Sequence, residues 1–278
     1  VNPLEVGLKK AGIQPPYIPK KYLDRAYQSI KSKFLHTNKR FCRKLSLEEA
    51  VAGIEGEPFI CSMNRQASSG FGWLKKTPPN YPGKTYWLGS EETFKIDEEV
   101  HCSLDDFERC LESNERLPVV WIDTLKDERR PLEKVKAGKT RVFAAGQMDY
   151  IILFRQYFLG FIADTMERRI DNEVGVGINP EGPDWQKLAL HLTKYSDNVI
   201  AGDFSNYDGS LSAQVLKLVL DLVNEWYDDE FSNHRSLIFE EICHSVHING
   251  SNLYQWTHSQ PSGNPFTAVL NSIANMIY

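Results

Sequence analysis

The sequence predicts an α+β fold in which several helices pack around a small number of strands. Apolar residues recur at helical spacing in two long segments, residues 150–161 and 211–226. Short apolar runs bounded by turn residues indicate strands, as at residues 118–122 and 199–201. Further along, Asn249-Gly250 separates two strand-like runs, which predicts a hairpin with a type I′ turn.

Length and composition set the first limits on function. The chain has 278 residues, 41% of them hydrophobic, which is enough for a sizeable core and one or two domains. Its formal net charge is −5, so a binding site for a polyanion must be a local basic patch. The five cysteines are odd in number and lack Cys-x-x-Cys spacing, which favours a reducing compartment over a disulfide-linked scaffold. We find neither a signal peptide nor an apolar stretch of membrane-spanning length.

The first third of the chain contains one loop with functional potential. Residues 1–60 are helical in pattern, and Ser46 with Glu49 matches a capping box. In residues 67–73, glycines and serines stand beside aromatic rings, and lysines follow. Such a loop could bring the backbone close to phosphates while its rings stack on bases. An ordinary surface loop explains the same residues, and this segment alone favours that explanation.

The most basic segment of the chain follows the strand predicted at residues 118–122. Between residues 126 and 141, seven of the sixteen residues are Lys or Arg and three are acidic. Gly138 and the residues after it indicate a loop that leads into another strand. Arg and Lys side chains on such a loop can bind a triphosphate and stabilise its leaving group. A solvated charged surface is the alternative.

Two aspartates mark the centre of the predicted site. The run at residues 199–201 predicts a buried strand, and Asp203 stands where this strand leaves the core. Asp208 lies in the turn that follows, and either Ser210 or Ser212 can cap the next helix. Two carboxylates on a strand-to-helix turn suit a hard cation such as Mg²⁺. A solvated acidic turn is the alternative, since acids at this spacing are common.

A second acidic pair, Asp228-Asp229, is interpreted as a hydrated helix end rather than a metal site.

The helix predicted near the end of the sequence presents polar groups beside an apolar face. Ser262-Gly263 predicts a flexible loop, and Pro265 suits the first turn of the helix. Thr267 and Asn271 are four residues apart, so they project from the helix together. A hydroxyl and an amide placed in this way could bind a sugar hydroxyl, and polar residues on a helix surface are the alternative. The predicted buried face consists of Phe266, Val269, Leu270, Ile273, Met276 and Ile277.

Taken together, these segments resemble the RNA-dependent RNA polymerases of picornavirus-like positive-strand RNA viruses, with dicistroviruses and iflaviruses the most similar. The resemblance covers the chain from about residue 45 onward, and the order of the segments agrees. Residues 203–212 are similar to the family's first palm motif, and residues 262–271 are similar to its second. The resemblance implies that Asp203 binds the catalytic metals and that Asp208 helps to select the ribose. It implies contacts with the incoming sugar for Ser262, Thr267 and Asn271.

The resemblance also implies roles for two loops in the first half of the chain. The basic segment is similar to the fingers motif that lines the nucleotide channel. Its implied phosphate and template contacts are Lys126, Arg130, Lys134 and Arg141. Residues 67–72 are similar to the loop that guides the template strand, where the family has Thr-Ser-x-Gly-Tyr-Pro. In this chain the corresponding residues are Ala67-Ser68-Ser69-Gly70-Phe71-Gly72, so Ser68, Ser69 and Gly70 are the implied template contacts.

The implied architecture is an α+β right-hand polymerase. Residues 1–160 would form N-terminally shortened fingers. Residues 161–278 would form part of a palm, an antiparallel sheet backed by helices, with a fingers hairpin at about residues 243–259. The family's third motif, Gly-Asp-Asp, would follow the second, and it is not found in this sequence. We therefore expect a polymerase fragment without that motif or a thumb, inactive when alone.

The implied reaction is template-directed addition of ribonucleotides to an RNA 3′ end, with Mg²⁺ or Mn²⁺ as cofactor. The implied partners are template and primer RNA, ribonucleoside triphosphates, other viral replication proteins and the remainder of the polymerase. The expected location is a membrane-associated replication complex in the host cytoplasm. Two alternatives remain: a non-catalytic RNA-binding module, and a reverse transcriptase. Asp208 and Asn271 favour ribose, whereas a reverse transcriptase would favour a bulky residue that excludes the 2′-hydroxyl.

Overall fold

The computed structural model describes residues 2–9 and 12–278. Four strands in these ranges form a single sheet: β1 (Trp121–Leu125), β2 (Val142–Ala145), β3 (Val246–Asn249) and β4 (Asn252–Gln255). The helices in the described ranges are α1 (Pro3–Lys9), α2 (Lys20–Phe34), α3 (Leu47–Ala52), α4 (Trp73–Lys76), α5 (Thr85–Leu88), α6 (Glu98–Glu112), α7 (Leu132–Lys136), α8 (Met148–Glu167), α9 (Pro183–Leu192), α10 (Tyr207–Ser210), α11 (Ala213–Tyr227), α12 (Ser232–Cys243) and α13 (Thr267–Ile277). None of these helices has both the length and the apolar character needed to cross a bilayer.

The sheet is mixed, whereas an antiparallel sheet was expected. Its strand order is β2-β1-β3-β4, and only the central pair, β1 with β3, is parallel. Trp121 in β1 is paired with His247 in β3, so this pair joins segments that are far apart in the sequence. A parallel pair requires a long crossover connection, and here that connection contains the central helices. The two halves of the chain are therefore joined through one sheet.

The predicted hairpin is present, but its turn lies one residue further along than expected. Asn249 pairs with Asn252, which leaves Gly250 and Ser251 as the two turn residues. Gly250 has a φ of 61°, a value that glycine adopts without strain at the first turn position. Glycine at that position is typical of a type II′ turn, so the predicted type I′ turn at Asn249-Gly250 was wrong.

Helix α8 forms the centre of the hydrophobic core. It is buried around most of its circumference, and α3, α6, α11, α12 and α13 contact it. The ring of Phe266, just before α13, lies 6.2 Å from Phe158 and 6.4 Å from Phe239, measured between centroids. Phe266 therefore attaches the start of α13 to both α8 and α12. The predicted buried face of α13 is confirmed, with Met276 partly buried and the others buried.

Truncation of Phe266 tests this attachment. We expect Phe266→Ala to lower the free energy of unfolding by about 3–5 kcal/mol, because it removes a fully buried ring and leaves a cavity. Denaturant unfolding of the two proteins measures the difference. Phe71→Ala is the matched control, since the Phe71 ring is exposed and its loss should change stability by less than about 0.5 kcal/mol. Equal losses in both variants would contradict the packing role of Phe266.

Polar side chains end the helices largely as the sequence predicts. The Ser46 and Glu49 capping box is present at α3, and the Ser212 hydroxyl caps α11 by accepting a hydrogen bond from the Gln214 N–H. Asp228 ends α11 in the left-handed conformation. Asp229 accepts hydrogen bonds from the buried guanidinium of Arg235, so it is paired rather than simply hydrated.

No group of three His, Cys, Asp or Glu within the described ranges could hold a metal, at Asp228-Asp229 or elsewhere.

The strand predicted before Asp203 is absent. Residues 199–201 are irregular and exposed, and Ile200 is fully accessible to solvent. A run of Val, Ile and Ala favours a strand, but a strand also needs a neighbour that pairs with its backbone groups. Among the described residues, the four sheet strands pair only with one another, so this run has no partner strand. The predicted strand of residues 118–122 is also displaced, to Trp121–Leu125.

Candidate functional site

A cavity of about 500 Å³ lies where the sheet meets the segment around Asp203. Its wall comes from five parts of the chain: α1, β1, the basic segment with β2, the Asp203 turn, and the segment from β3 to Ser262. The sequence-predicted site residues in the wall are Arg130, Arg141, Asp203, Asp208 and Ser262. The fold therefore brings together the acidic turn, part of the basic segment and the loop before α13.

The turn from Asp203 to Asp208 places two aspartates in the cavity wall. Asp203 lies in an exposed extended segment, and Asn206 then takes a left-handed conformation with a φ of 60°. Asparagine tolerates this conformation better than most residues, which explains its use at the reversal. The one-turn helix α10 begins at Tyr207 and carries Asp208. The predicted turn is thus present although the strand before it is not.

Asp208, a residue of the cavity wall, is hydrogen-bonded to α13. The Asn271 side-chain Nδ2 donates a hydrogen bond of 3.2 Å to Asp208 Oδ1. The Tyr207 hydroxyl donates to the Asn271 backbone carbonyl at 2.9 Å. Burial raises the pKa of Tyr207 to about 12, so its hydroxyl remains a donor at neutral pH. These two bonds fix the position of Asn271 relative to the acidic turn.

The loop before α13 rests directly on β2. A Cβ atom at Gly263 would lie 1.8 Å from the Ala144 carbonyl oxygen, so only glycine allows this approach. Ser262 lies in the cavity wall beside it. The Thr267 hydroxyl instead donates to the Asn264 carbonyl at 2.9 Å, at the start of its own helix. Neither Thr267 nor Asn271 is among the described residues that line the cavity.

The basic segment divides into two groups. Arg130 and Arg141 line the cavity, and both pair with Glu128, whose Oε1 lies 3.0 Å from Arg130 Nε and 2.8 Å from Arg141 Nε. The hydrogen bond from Arg141 holds the pKa of the Glu128 carboxyl below its usual value. Two other predicted contacts, Lys126 and Lys134, are exposed and lie outside the described lining. Glu128 therefore holds the two guanidinium groups together on one side of the cavity.

The predicted template loop lies elsewhere in the structure, against the start of α8. The Ser69 carbonyl accepts a hydrogen bond of 3.0 Å from the Met148 N–H, and Ser69 is fully buried. The Ser68 hydroxyl accepts from the Gly70 N–H at 3.2 Å. Lys84 donates to the Ala67 carbonyl at 3.0 Å, and burial lowers the pKa of its amine to about 8. Ser68, Ser69 and Gly70 thus form an anchored turn outside the cavity.

Sequence reasoning missed a buried polar network in the cavity wall. His247 Nδ1 lies 2.9 Å from Asp123 Oδ1, and its other ring nitrogen lies 2.8 Å from the Ser245 hydroxyl. The Tyr254 hydroxyl donates to the same aspartate, and burial raises the pKa of that hydroxyl well above its usual value. One signal could have found it: polar residues stand at alternating positions in two predicted strands. The network joins β1, β3 and β4 beside the cavity.

Comparison with known proteins gives one consistent family. The sequence profile of a family described as viral RNA-dependent RNA polymerase matches residues 3–278. The chain is similar to the replicase polyprotein of acute bee paralysis virus (strain Rothamsted), with 43% identity over 278 residues. It is also similar to the replicase polyprotein of Drosophila C virus (strain EB), with 40% identity over 297 residues. Each comparison covers 99% of this chain, which spans only 15% and 17% of those two proteins.

A solved structure supports the same grouping at the level of the fold. The RNA-dependent RNA polymerase of a sicinivirus superposes with a TM-score of 0.80 and is 24% identical in sequence. The match covers 100% of this chain and 56% of that polymerase.

Proposed function

Because this chain belongs to the family of viral RNA-dependent RNA polymerases, we propose that it supplies the nucleotide-binding part of an enzyme that extends RNA on an RNA template. The observation that carries this proposal is the cavity shared by Asp203, Asp208, Arg130 and Arg141. A ribonucleoside triphosphate needs cations around its phosphates and a polar contact at its sugar. Residues of both kinds meet in this one space.

The distribution of charge fits a nucleotide lying across the cavity. Arg130 and Arg141, with the missed residue Lys139, place positive charge on the side formed by the basic segment. Guanidinium groups bind phosphate oxygens through paired N–H donors, and Glu128 fixes both groups before a ligand arrives. Asp208 in the cavity wall and its hydrogen-bond partner Asn271 would then contact the ribose.

Asp203 fits one ligand position of a divalent metal ion. Mg²⁺ is commonly held through one or two carboxylates together with substrate phosphates and water. The exposed Asp203 carboxylate in the cavity wall supplies such an oxygen donor. We propose Mg²⁺ as this ion, with Mn²⁺ as a substitute.

The proposed reaction is attack of a primer 3′-hydroxyl on the α-phosphate of the nucleotide, with release of pyrophosphate. Arg130 and Arg141 bind the triphosphate and stabilise negative charge on the departing pyrophosphate. Asn271 and Asp208 orient the ribose, together with Ser262, which is a residue of the cavity wall. When bound, two divalent ions would activate the attacking hydroxyl and stabilise the leaving oxygen. The role of Asp203 is to hold one side of that metal site.

Residues outside the cavity are proposed to contact RNA. Lys126 and Lys134 are exposed cations next to the cavity segment, which suits backbone phosphates of a template strand. Exposed Phe71 and Leu74 follow the anchored turn at residues 68–70. We propose that this turn holds their side chains against the template strand. We assign residues 1–160 to fingers and residues 161–278 to part of a palm, with the hairpin at residues 243–259 returning to the fingers. The enzyme would act with other viral replication proteins in a membrane-associated complex of the host cytoplasm.

Primer extension by the polymerase that carries this chain tests the proposal. We expect incorporation of the complementary ribonucleotide only, strictly dependent on template RNA and on Mg²⁺ or Mn²⁺. A reverse transcriptase would instead incorporate deoxyribonucleotides efficiently. A non-catalytic module would bind RNA with no incorporation and no metal requirement. Either of those two results, obtained with polymerase that is folded by circular dichroism, would contradict the proposed function.

A further inference from the structure

A chain of side-chain amides leads from the loop before α13 to Asp208. It begins at Asn264, whose orientation is fixed by two backbone groups. Asn264 Oδ1 accepts a hydrogen bond of 2.9 Å from the Phe266 N–H, and Asn264 Nδ2 donates to the Pro261 carbonyl at 2.6 Å. A backbone N–H can only donate and a carbonyl can only accept, so the Asn264 amide has one possible orientation.

Gln260 carries this orientation one step further. Asn264 Nδ2 also donates to Gln260 Oε1 at 3.1 Å, which requires that the Gln260 oxygen faces Asn264. Gln260 Nε2 then faces the other way and donates to Asn271 Oδ1. Gln260 and Asn264 are both buried, so water competes little for these groups.

The last step sets the orientation of the proposed ribose-reading amide. Because Asn271 Oδ1 accepts from Gln260, Asn271 Nδ2 must point to Asp208, where it donates at 3.2 Å to Oδ1. With the amide reversed, Asn271 would present an oxygen to the Asp208 carboxylate, and the two groups would repel each other. Among the described residues, the Asn271 side chain has hydrogen bonds only to Gln260 and Asp208. Without Gln260, no partner other than Asp208 would fix which way the amide faces.

We propose that Gln260 is a positioning residue for sugar discrimination, which holds the Asn271 amide with its nitrogen toward Asp208. This inference rests on the proposed function, since it assumes that Asn271 and Asp208 read the ribose. Gln260 lies in the wall of the same cavity, but its amide groups are used by Asn264 and Asn271, so it acts through Asn271.

Gln260→Glu tests the amide chain with almost no change in volume. A carboxylate at this position can accept from Asn264 but cannot donate to Asn271, so it draws Asn271 Nδ2 away from Asp208. In the polymerase that carries this chain, kcat/KM is measured for a ribonucleotide and for its 2′-deoxy analogue. We expect the preference for ribose to fall about tenfold, through loss of the ribonucleotide rate alone. The preference should approach that of Asn271→Ala measured in parallel.

Two further variants complete the test. Gln28→Glu makes the same chemical change at an exposed position of α2 and should leave both rates unchanged. Gln260→Met replaces the amide by an apolar side chain of similar length, and we expect an intermediate fall in preference even if the glutamate variant folds poorly.

These variants distinguish the positioning role of Gln260 from the ribose-reading role of Asn271. Equal losses for both nucleotides in the Gln260 variants would show a merely structural role and overturn the inference. If Asn271→Ala lowers the ribose preference but both Gln260 variants preserve it, only the role of Gln260 is wrong. If Asn271→Ala also preserves the preference, the ribose-reading role fails together with the inference.

Discussion

Asp203→Asn is expected to lower nucleotide incorporation by about 10³-fold or more, with little effect on folding. Asparagine has nearly the same volume but lacks the negative charge that a hard cation prefers. Because Asp203 is exposed and outside the helices and strands, its replacement removes no core packing. Single-nucleotide extension under saturating template measures the rate, and thermal unfolding checks that the fold is unchanged.

The matched control for this variant is Asp105→Asn. Asp105 is an exposed aspartate on α6, outside the described lining of the cavity, so the same change of charge should leave extension unchanged. An extension rate in Asp203→Asn within about twofold of wild type would remove Asp203 from the metal site. A similar fall in both variants would indicate a general effect of net charge instead.

Arg130→Ala is expected to lower kcat/KM for the nucleotide by about 10²-fold. A charge-assisted hydrogen bond to phosphate contributes about 1.5–3 kcal/mol, and its loss also leaves Glu128 with one cation fewer. Steady-state kinetics with varied nucleotide concentration measure the change. The effect should appear in both kcat and KM, because Arg130 is proposed to bind the triphosphate and to stabilise the leaving group.

Lys134→Ala serves as the matched control, since Lys134 belongs to the same basic segment but lies outside the described cavity wall. We expect nucleotide kcat/KM to change by less than about threefold, with any loss appearing in the affinity for template RNA and in its salt dependence. Equal effects of the two substitutions on nucleotide kinetics would mean that the basic segment acts only through its overall charge. The position of Arg130 in the cavity wall would then give it no special role.

Much of the fold was predictable from local signals. The predicted α+β polymerase fold is confirmed by the family match and by the similarity of the solved polymerase. Helix α11 begins at its serine cap, and its apolar face is buried as the periodicity predicts. Local signals failed for residues 199–201, because pairing of a strand depends on a neighbour that the run itself does not specify.

The composition of the cavity was only partly predictable. The acidic turn was found from its own residues, but the basic segment gave no means of separating Arg130 from Lys134. That separation follows from the pairing of β1 with β2, which folds residues 126–141 back on themselves. Asp123 and His247 were missed because they lie 124 residues apart and meet only through the parallel strand pair. Gln260 was missed because its role lies in the direction of its hydrogen bonds.

Asp203 is proposed to hold a divalent metal in the cavity that also binds the nucleotide. The most direct test is a titration of Mn²⁺, followed by electron paramagnetic resonance, into wild-type and Asp203→Asn polymerase with a ribonucleoside triphosphate present. We predict that Mn²⁺ binds the wild-type complex and binds the variant at least about tenfold more weakly. Equal Mn²⁺ affinity in the two proteins would contradict the claim.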